Sequence, residues 1–175
     1  VFHVPLEEVD SDQRRTAKMV NFGLAYGMSA FGLSQRLGIS RREAADIMEE
    51  YFRQFPSLEQ YMSDTTQFAR EHGYVETLTG RRRYLRDINS RNGTVRKQAE
   101  RNAVNMPVQG TAADMIKIAM SRIFDALNES GLKTKMILQV HDELVFDVPS
   151  GEVDTVKPMV EQHMREAFPM KVPIV

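Results

Sequence analysis

Apolar residues recur at helical spacing through the first two thirds of the chain, whereas the last third contains short runs rich in β-forming residues. Three of the helical patterns begin with a polar residue that can cap a helix, followed three positions later by Gln or Glu. They predict helices over about residues 12–26, 41–54 and 58–72. The capping pairs are Asp10 with Gln13, Ser40 with Glu43, and Ser57 with Gln60.

Glycine and proline residues indicate where helices end. Gly27 follows the first helix, where a residue in the left-handed conformation often closes a helix. Pro56 is expected to end the second helix, and Pro107 to interrupt a later helical pattern, because proline lacks the backbone N–H that a helix needs. That later pattern is therefore predicted to form two helices, over about 94–105 and 112–129.

Runs of β-forming residues predict two hairpins. YVETL at 74–78 begins the first hairpin. KMILQV at 135–140 and ELVFDV at 143–148 form the second, around a tight turn at His141-Asp142. In the first hairpin, the turn signal Thr79-Gly80 separates YVETL from the second run, RRRYLR.

The order of these elements predicts an α+β fold. Helices fill the first part, and a hairpin, a helix over about 152–167 and an edge strand at 171–175 make up the second. Pro173 favours an edge position because it cannot donate to a central ladder. Residues 1–10 are expected to be an extended and exposed lead-in.

The composition excludes several classes of protein. The chain has 175 residues, a net charge of −1 and no cysteine, which excludes a disulfide framework, a thiolate zinc site and a cysteine nucleophile. No apolar run approaches the roughly 18 residues of a membrane span, so a soluble intracellular protein without a membrane partner is expected. Because the chain begins with Val1 rather than Met, we expect it to be a piece of a longer protein.

Four side chains on the first predicted helix follow one another at intervals of four residues: Arg14, Lys18, Phe22 and Tyr26. Residues at this interval drift by only about 40° around a helix, so they form one stripe. Cations in one half and rings in the other match a nucleotide, which has a phosphate end and a flat base. The alternative is an amphipathic helix with Phe22 and Tyr26 in the core and the two cations in solvent.

Two consecutive carboxylates, Asp142 and Glu143, lie at the predicted turn of the second hairpin. Carboxylate oxygens are the ligands that hard divalent cations prefer, and phosphoryl transfer commonly uses two such cations. The alternative is an ordinary polar turn, in which Asp is also favoured.

A basic segment suggests a phosphate-binding surface, although the total charge of the chain is close to zero. Residues 79–101 hold eight basic and two acidic residues. An ordinary solvated face is an equally good interpretation of the charge alone. The basic residues are Arg81, Arg82, Arg83, Arg86, Arg91, Arg96, Lys97 and Arg101.

Arg101, Asn105 and Gln109 are again spaced by four. The two amides could hydrogen-bond the minor-groove acceptors that recur in every base pair, as an enzyme that checks base-pair shape without reading sequence requires. The alternative is that they cap the helix break expected near Pro107.

Three segments resemble family A of the DNA polymerases, and most closely its bacterial members. RRTAKMVNFGLAYG at 14–27 is similar to that family's motif B, R-x3-K-x7-Y-G, and VHDELVF at 140–146 is similar to its motif C. The two motifs stand in the family's order. ERNAVNMPVQGTAAD at 100–114 resembles the stretch that touches template and primer, so the similarity extends over essentially the whole chain.

The resemblance implies both an activity and an architecture. The activity is template-directed addition of deoxynucleoside triphosphates to a primer 3′-hydroxyl with release of pyrophosphate, using two Mg²⁺ ions, in DNA replication and repair. Residues 1–100 would form the fingers and 101–175 part of the palm, with the motif C hairpin over about 135–148. The protein would act on primer-template DNA in the bacterial cytoplasm, in association with the nucleoid.

The resemblance also assigns roles to single residues. Arg14 and Lys18 would contact the triphosphate, with Lys18 also taking part in catalysis, and Tyr26 would lie next to the nascent base pair. Phe22 occupies a position where the family has Phe or Tyr, and Phe accompanies rejection of dideoxynucleotides. Asp142 would be a catalytic metal ligand.

Further roles follow from the same resemblance. Glu143 would lie beside the metal ligand as a second catalytic carboxylate, and His141 would contact the primer end. The remaining DNA contacts would be made by Arg81, Arg82, Arg101, Asn105 and Gln109.

Some parts of the family pattern find no match in these residues. The first catalytic aspartate, in a D-Y-S-x-I-E-like segment, is absent, as are the thumb and exonuclease regions. This piece alone is therefore expected to be inactive and to require the rest of the polymerase chain. The alternative functions are a single-subunit RNA polymerase, a non-catalytic nucleic-acid-binding module and a structural helical domain.

Overall fold

Capping residues determine where the helices of the first part begin. In the computed structural model, which describes residues 4–172 and 174, α1 spans Ser11–Ala25 and α3 spans Arg41–Gln54. Asp10 accepts a hydrogen bond of 2.7 Å from the Gln13 backbone N–H, and the Gln13 side chain accepts one from the Asp10 N–H. The predicted capping boxes of both helices are confirmed.

Two details of the helical region differ from the predictions. A helix that was not predicted, α2, spans Ala30–Leu37 and begins at Ser29, whose hydroxyl accepts from a backbone N–H. The next helix after α3, α4, spans Pro56–His72 and has no side-chain cap at its start, so the predicted Ser57 cap is wrong. The reason is that proline suits the first turn of a helix, where its missing N–H would have no partner, so Pro56 begins α4.

The first three helices pack around one small core. Val20 and Leu24 of α1, Leu33 of α2 and Ala44 of α3 are completely buried and lie in one cluster. Val20 and Leu24 are four residues apart, so they define the face of α1 that is turned away from solvent. The opposite side of α1 is thereby left exposed.

The first predicted hairpin is confirmed as an antiparallel pair. Strand β1 spans Tyr74–Glu76 and β2 spans Arg82–Tyr84, with Val75 opposite Arg83. Val75 is buried in a second cluster. The other members of that cluster are Ala69, Leu85, Ile88, Ala99, Ala103 and Met106.

The interruption predicted at Pro107 does not occur. A single helix, α5, spans Gly93–Ser130 and contains Pro107 in its interior. Proline costs about 3 kcal/mol in a helix interior. Here the buried side chains of Ala103 and Met106 hold the turn that precedes it, and the Tyr61 hydroxyl donates to the Val104 carbonyl at 3.0 Å. Tertiary contacts therefore override the local preference.

The chain divides into two compact units, Val1–Val108 and Gln109–Val175, and α5 contributes residues to both. In the second unit, β3 (Lys135–Val140) and β4 (Glu143–Asp147) form the predicted antiparallel hairpin. A final helix, α6, spans Val153–Arg165. The core of this unit consists of Ala119, Ile123, Leu127, Val156 and Ala167. The α+β class is confirmed.

The two ends of the chain differ from the predictions. Within the predicted edge strand at 171–175, the described residues Lys171, Val172 and Ile174 form no strand, and the other two lie outside the described residues. A strand needs a neighbour that offers backbone hydrogen bonds, and among the described residues each sheet has only two strands. In the lead-in, Leu6–Glu8 forms a 3₁₀ turn, and residues 1–3 lie outside the described part.

No helix in the described part of the chain is both long enough and apolar enough to cross a membrane.

A carboxylate fixes the start of the second hairpin. Glu152 accepts hydrogen bonds from the Thr134 hydroxyl and from the backbone N–H groups of Lys133 and Thr134. These bonds, led by that of the Thr134 side chain, lower the pKa of Glu152. A carboxyl whose pKa is lowered by folding stabilises the folded state above its unfolded pKa, and this contribution is lost as the pH falls.

We therefore expect Glu152→Gln to lower the Tm at neutral pH and to have a smaller effect well below the ordinary glutamate pKa of about 4.3. Thermal unfolding followed by circular dichroism at the two pH values measures the difference. Glu161→Gln, an exposed carboxyl of α6, is the matched control and should change the Tm little at either pH. A Tm loss for Glu152→Gln that is independent of pH would contradict the assigned role.

Candidate functional site

The stripe predicted on α1 is exposed, as a binding surface requires. Arg14, Lys18 and Phe22 are exposed and Tyr26 is half-buried. Phe22 keeps 54% of its surface accessible, whereas Val20 and Leu24 on the other side of the helix have none. The alternative interpretation, in which Phe22 belongs to the core, is therefore wrong.

The two rings of the stripe face each other. The Phe22 and Tyr26 ring centroids are 6.3 Å apart and the ring planes differ by 16°, a stacked arrangement. The parts of these rings that do not face each other leave apolar surface on which a base or sugar can pack.

The two cations of the stripe have no side-chain partner among the described residues. Within residues 4–172 and 174, the side chains of Arg14 and Lys18 form no salt bridge and no hydrogen bond. Neighbouring Arg15 differs, because it pairs with Asp12 at 2.9 Å. The two charges of the stripe are therefore available to an anion, and Arg14 lies close to the N-terminal end of α1, which favours negative charge.

Arg101 holds the end of α1. Its Nε donates to the Tyr26 carbonyl oxygen at 3.2 Å, and the adjacent Gly27 has φ of +75° and packs against the Arg101 side chain. A left-handed residue ends the helix, and the arginine then satisfies a carbonyl that the helix leaves free. Sequence reasoning missed this role of Arg101, because the two partners are 75 residues apart in the chain.

The turn of the second hairpin presents its polar residues to solvent. His141, Asp142 and Glu143 are all exposed. His141 has φ of +56°, a left-handed conformation that is uncommon for a residue other than glycine. Its carbonyl accepts a 2.7 Å hydrogen bond from Gln139 Nε2, which helps to hold the turn.

Alternation along β4 orients the residues that follow the turn. Leu144 and Phe146 pack against the helical core of the second unit, and Glu143 and Asp147 are exposed. Neighbouring residues of a strand point to opposite faces, so Glu143 is directed away from the core. The described residues contain no cluster of three or more acidic, histidine or cysteine side chains that could enclose a metal ion. Asp142 and Glu143 could thus supply only part of a metal site.

The first hairpin uses one of its predicted DNA contacts internally. Arg82 pairs with Glu76 across the two strands at 2.5 Å, and its guanidinium lies 4.5 Å from the centre of the Tyr74 ring. The bond to Glu76 is the largest cause that raises the pKa of Arg82. Arg81, which is also exposed, donates its backbone N–H to the Thr77 hydroxyl.

Asn105 and Gln109 lie on α5 rather than at a break between two helices, so the alternative role as caps is wrong. Gln109 is exposed, and Asn105 is half-buried. The Asn105 side-chain oxygen is buried and accepts no hydrogen bond from any described residue. Leaving a buried acceptor unpaired costs roughly 1–3 kcal/mol, so this oxygen could gain a hydrogen bond from a donor outside the described residues.

Comparison with known proteins accounts for the combination of these features. The family model for DNA polymerase family A matches residues 1–175. The chain belongs to DNA polymerase family A.

Several family A relatives share about half of its residues. DNA polymerase I of Streptococcus pneumoniae is 52% identical over 169 residues, which cover 97% of this chain and 19% of that protein. DNA polymerase I of Pseudomonas aeruginosa is 51% identical over 175 residues, or 100% of this chain and 19% of that protein. The chain therefore spans about a fifth of the length of these family A polymerases.

A solved structure supports the family assignment at the level of the fold. The POL domain of Pol1 from M. smegmatis, in complex with DNA primer-template and dNTP, superposes with a TM-score of 0.94 and 47% sequence identity. The similarity covers 98% of this chain and 30% of that one. The helices and hairpins described above are thus those of a family A polymerase domain.

Truncation of a side chain is expected to lower the free energy of unfolding much more on the buried face of α1 than on the exposed face. Leu24→Ala removes a completely buried side chain and should lower the free energy of unfolding by about 2–5 kcal/mol. Phe22→Ala should change it by about 0.5 kcal/mol, since the ring is largely exposed. Urea unfolding followed by circular dichroism gives both values, and equal losses would place Phe22 in the core.

Proposed function

We propose that this chain forms part of a polymerase that extends a DNA primer with deoxynucleoside triphosphates on a template and releases pyrophosphate, in DNA replication and repair. The observation that carries the proposal is the exposed stripe of α1, whose first half holds cations that pair with no described residue and whose second half holds stacked rings. The dNTP bound to the M. smegmatis relative supports the same assignment.

The stripe can bind a nucleotide along its length. Arg14 and Lys18 would hold the triphosphate, because both charges are unpaired among the described residues and guanidinium and ammonium groups bind phosphate strongly. Lys18, nearer the middle of the stripe, would also offset charge that develops on the departing pyrophosphate. Phe22 would pack on the sugar or base, and Tyr26 would lie beside the new base pair. In this reaction, positioning and charge stabilisation supply most of the catalysis.

The hairpin turn would contribute to a metal site. Mg²⁺ is commonly held by one or two carboxylates together with substrate phosphates and water, and an exposed carboxylate at Asp142 fits such partial ligation. When bound, two such ions would make the primer hydroxyl more acidic and neutralise the phosphates. Glu143 would add negative charge beside Asp142, and His141 would contact the primer end. The second aspartate ligand would come from outside these residues.

The remaining predicted contacts would bind primer-template DNA. Gln109 is exposed on α5 and Asn105 is half-buried, and each could donate its amide N–H groups to the minor-groove acceptors. Arg81 would contact phosphates. Arg82 and Arg101 would affect DNA binding mainly indirectly, because Arg82 stabilises the first hairpin and Arg101 stabilises the end of α1. Phosphate contacts of this kind are independent of sequence.

The rest of the polymerase chain is the proposed protein partner. Four large apolar side chains of the second hairpin are exposed, and apolar surface of this kind commonly marks an interface. They are Ile137, Leu138, Val140 and Val145. We accordingly propose that the fingers and the palm fragment act within the complete polymerase, in the bacterial cytoplasm, and that these 175 residues alone are inactive.

The metal role of Asp142 is tested in the complete polymerase. Asp142→Ala should reduce single-nucleotide incorporation by at least about a thousandfold, because an unneutralised phosphoryl-transfer transition state is much less stable. Binding of primer-template DNA, measured by fluorescence anisotropy, should remain within about twofold, since Asp142 carries no positive charge.

The control for this experiment is Asp147→Ala, another exposed carboxylate of the same hairpin that lies at the far end of β4. It should retain activity. Normal turnover by Asp142→Ala would disprove the metal role. If the unsubstituted enzyme binds DNA but shows no turnover, the result would favour a non-catalytic nucleic-acid-binding module. If it prefers ribonucleotides, the result would favour an RNA polymerase.

Phe22 provides a test of nucleotide selection. Since it is exposed in the stripe, Phe22→Tyr adds a hydroxyl at the surface that would face the sugar, without changing the core. We expect the complete polymerase with Phe22→Tyr to discriminate less against dideoxynucleotides, by about tenfold or more, because the tyrosine hydroxyl would replace a hydrogen bond to phosphate that the missing 3′-hydroxyl cannot make, and such a bond to a charged group is worth about 1.5–3 kcal/mol. Single-turnover incorporation of deoxy- and dideoxynucleotides measures the ratio, and an unchanged ratio would exclude Phe22 from sugar contact.

A further inference from the structure

A groove outside the predicted site lies between the first hairpin and the first part of α5. Its volume is about 590 Å³, within the range of small-ligand sites. Every residue that lines it belongs to the first unit. Its polar and aromatic lining includes Arg83, Tyr84, Arg86, Asp87, Gln98 and Asn102.

The two arginines of the groove are available for binding. Arg83 and Arg86 are exposed, and within residues 4–172 and 174 neither side chain forms a salt bridge or a hydrogen bond. Other arginines of the same unit are already occupied, since Arg82 pairs with Glu76 and Arg70 with Glu100. The groove therefore presents two guanidinium groups without an ion pair among the described residues and one carboxylate, Asp87, which leaves a net positive charge that suits phosphates.

An aromatic ring at the edge of the groove is both exposed and held in place. Tyr84 keeps 68% of its surface accessible. Its ring packs against that of Tyr74, with centroids 5.8 Å apart, and Tyr74 is covered by the Arg82 guanidinium. The pairing of Arg82 with Glu76 anchors this row. A braced ring with an open surface is a stacking platform for an unpaired base.

The amides on the α5 side can contact the edge of that base. Gln98 Nε2 donates to Asn102 Oδ1 at 3.3 Å. This bond leaves the Gln98 oxygen as an acceptor and the Asn102 amide nitrogen as a donor. Amides with one donor and one acceptor available can bind any base, as a site without sequence preference needs.

We propose that this groove binds one unpaired nucleotide of a DNA single strand, with its base on Tyr84 and a flanking phosphate on Arg86, while Arg83, on the other face of β2, contacts a phosphate further along the strand. Single-stranded DNA is favoured over duplex because the faces of a base inside a duplex are covered by its neighbours, so a ring can stack only on an unpaired base. The inference extends the proposed function, since a polymerase that copies a template must handle its unpaired portion.

The chain offers a site-specific reporter, because it contains no tryptophan. Tyr84→Trp places one indole at the groove, and stacking with a base should quench its emission. Phe124→Trp, at an α5 position of the second unit that is 56% exposed, is the matched control. A short oligothymidylate is added to each variant of this chain, while anisotropy of a labelled copy reports total binding.

We expect saturable quenching of Tyr84→Trp, at least about threefold larger than that of Phe124→Trp, with weaker quenching by duplex DNA or by thymidine triphosphate. Tyr84→Ala should weaken oligonucleotide binding about tenfold and Tyr84→Phe by less than about twofold, since loss of one stacked ring costs about 1–3 kcal/mol per base.

The arginines are tested through the salt dependence of the same binding. Arg83→Gln and Arg86→Gln should each lower the slope of log K against log salt by about 0.7, the value for one phosphate contact on a single strand. Arg42→Gln, an exposed cation on α3 of the same unit, should leave the slope unchanged.

The outcomes separate this inference from the proposed function. If anisotropy shows that the oligonucleotide binds but the Tyr84→Trp emission is not quenched, the proposed binding in the groove is wrong. The polymerase assignment would not be affected. Equal quenching by duplex DNA, or by thymidine triphosphate, would overturn the single-strand assignment. Absence of any DNA binding by the unsubstituted chain would overturn the groove, whereas the polymerase assignment is tested separately by Asp142→Ala in the complete enzyme.

Discussion

The burial of one apolar face of α1 is the constraint on which the proposed nucleotide surface depends. Val20 and Leu24 are completely enclosed with Leu33 and Ala44, so the helix cannot rotate without exposing them. This fixes the opposite stripe in solvent, with Phe22 at its centre. Leu33 belongs to a helix that begins at a Ser29 cap, so a local hydrogen bond at the start of α2 helps to set the orientation of α1.

The continuity of α5 has a similar consequence for the proposed DNA contacts. Arg101, Asn105 and Gln109 share one side of a helix only if the helix passes through Pro107 without a break. Packing of the preceding turn and the hydrogen bond from Tyr61 to the Val104 carbonyl offset a proline cost of about 3 kcal/mol. Arg101 of the same helix donates to the Tyr26 carbonyl, so within the first unit α5 is linked to the end of α1.

Local signals were sufficient for much of this structure, and contacts between distant residues account for the differences. The capping boxes at Asp10 and Ser40, both hairpins and the turn at His141 depend on residues within a few positions of one another, so the sequence predicts them well. The passage of α5 through Pro107 depends on packing against elements far away in the chain. The bond of Arg101 to the Tyr26 carbonyl joins residues 75 positions apart, and spacing patterns carry no signal for it.

The candidate sites show the same limit of prediction from sequence. A count of basic residues does not distinguish cations that are already paired from those available to a ligand. Residues 79–101 contain eight of them, yet Arg82 and Arg96 each face a glutamate, whereas Arg83 and Arg86 have no partner among the described residues. An arginine already paired gains little from a phosphate, since it must first give up its carboxylate, and a free one retains its full attraction. Affinity for DNA in this region should therefore depend on which arginines are unpaired rather than on how many there are.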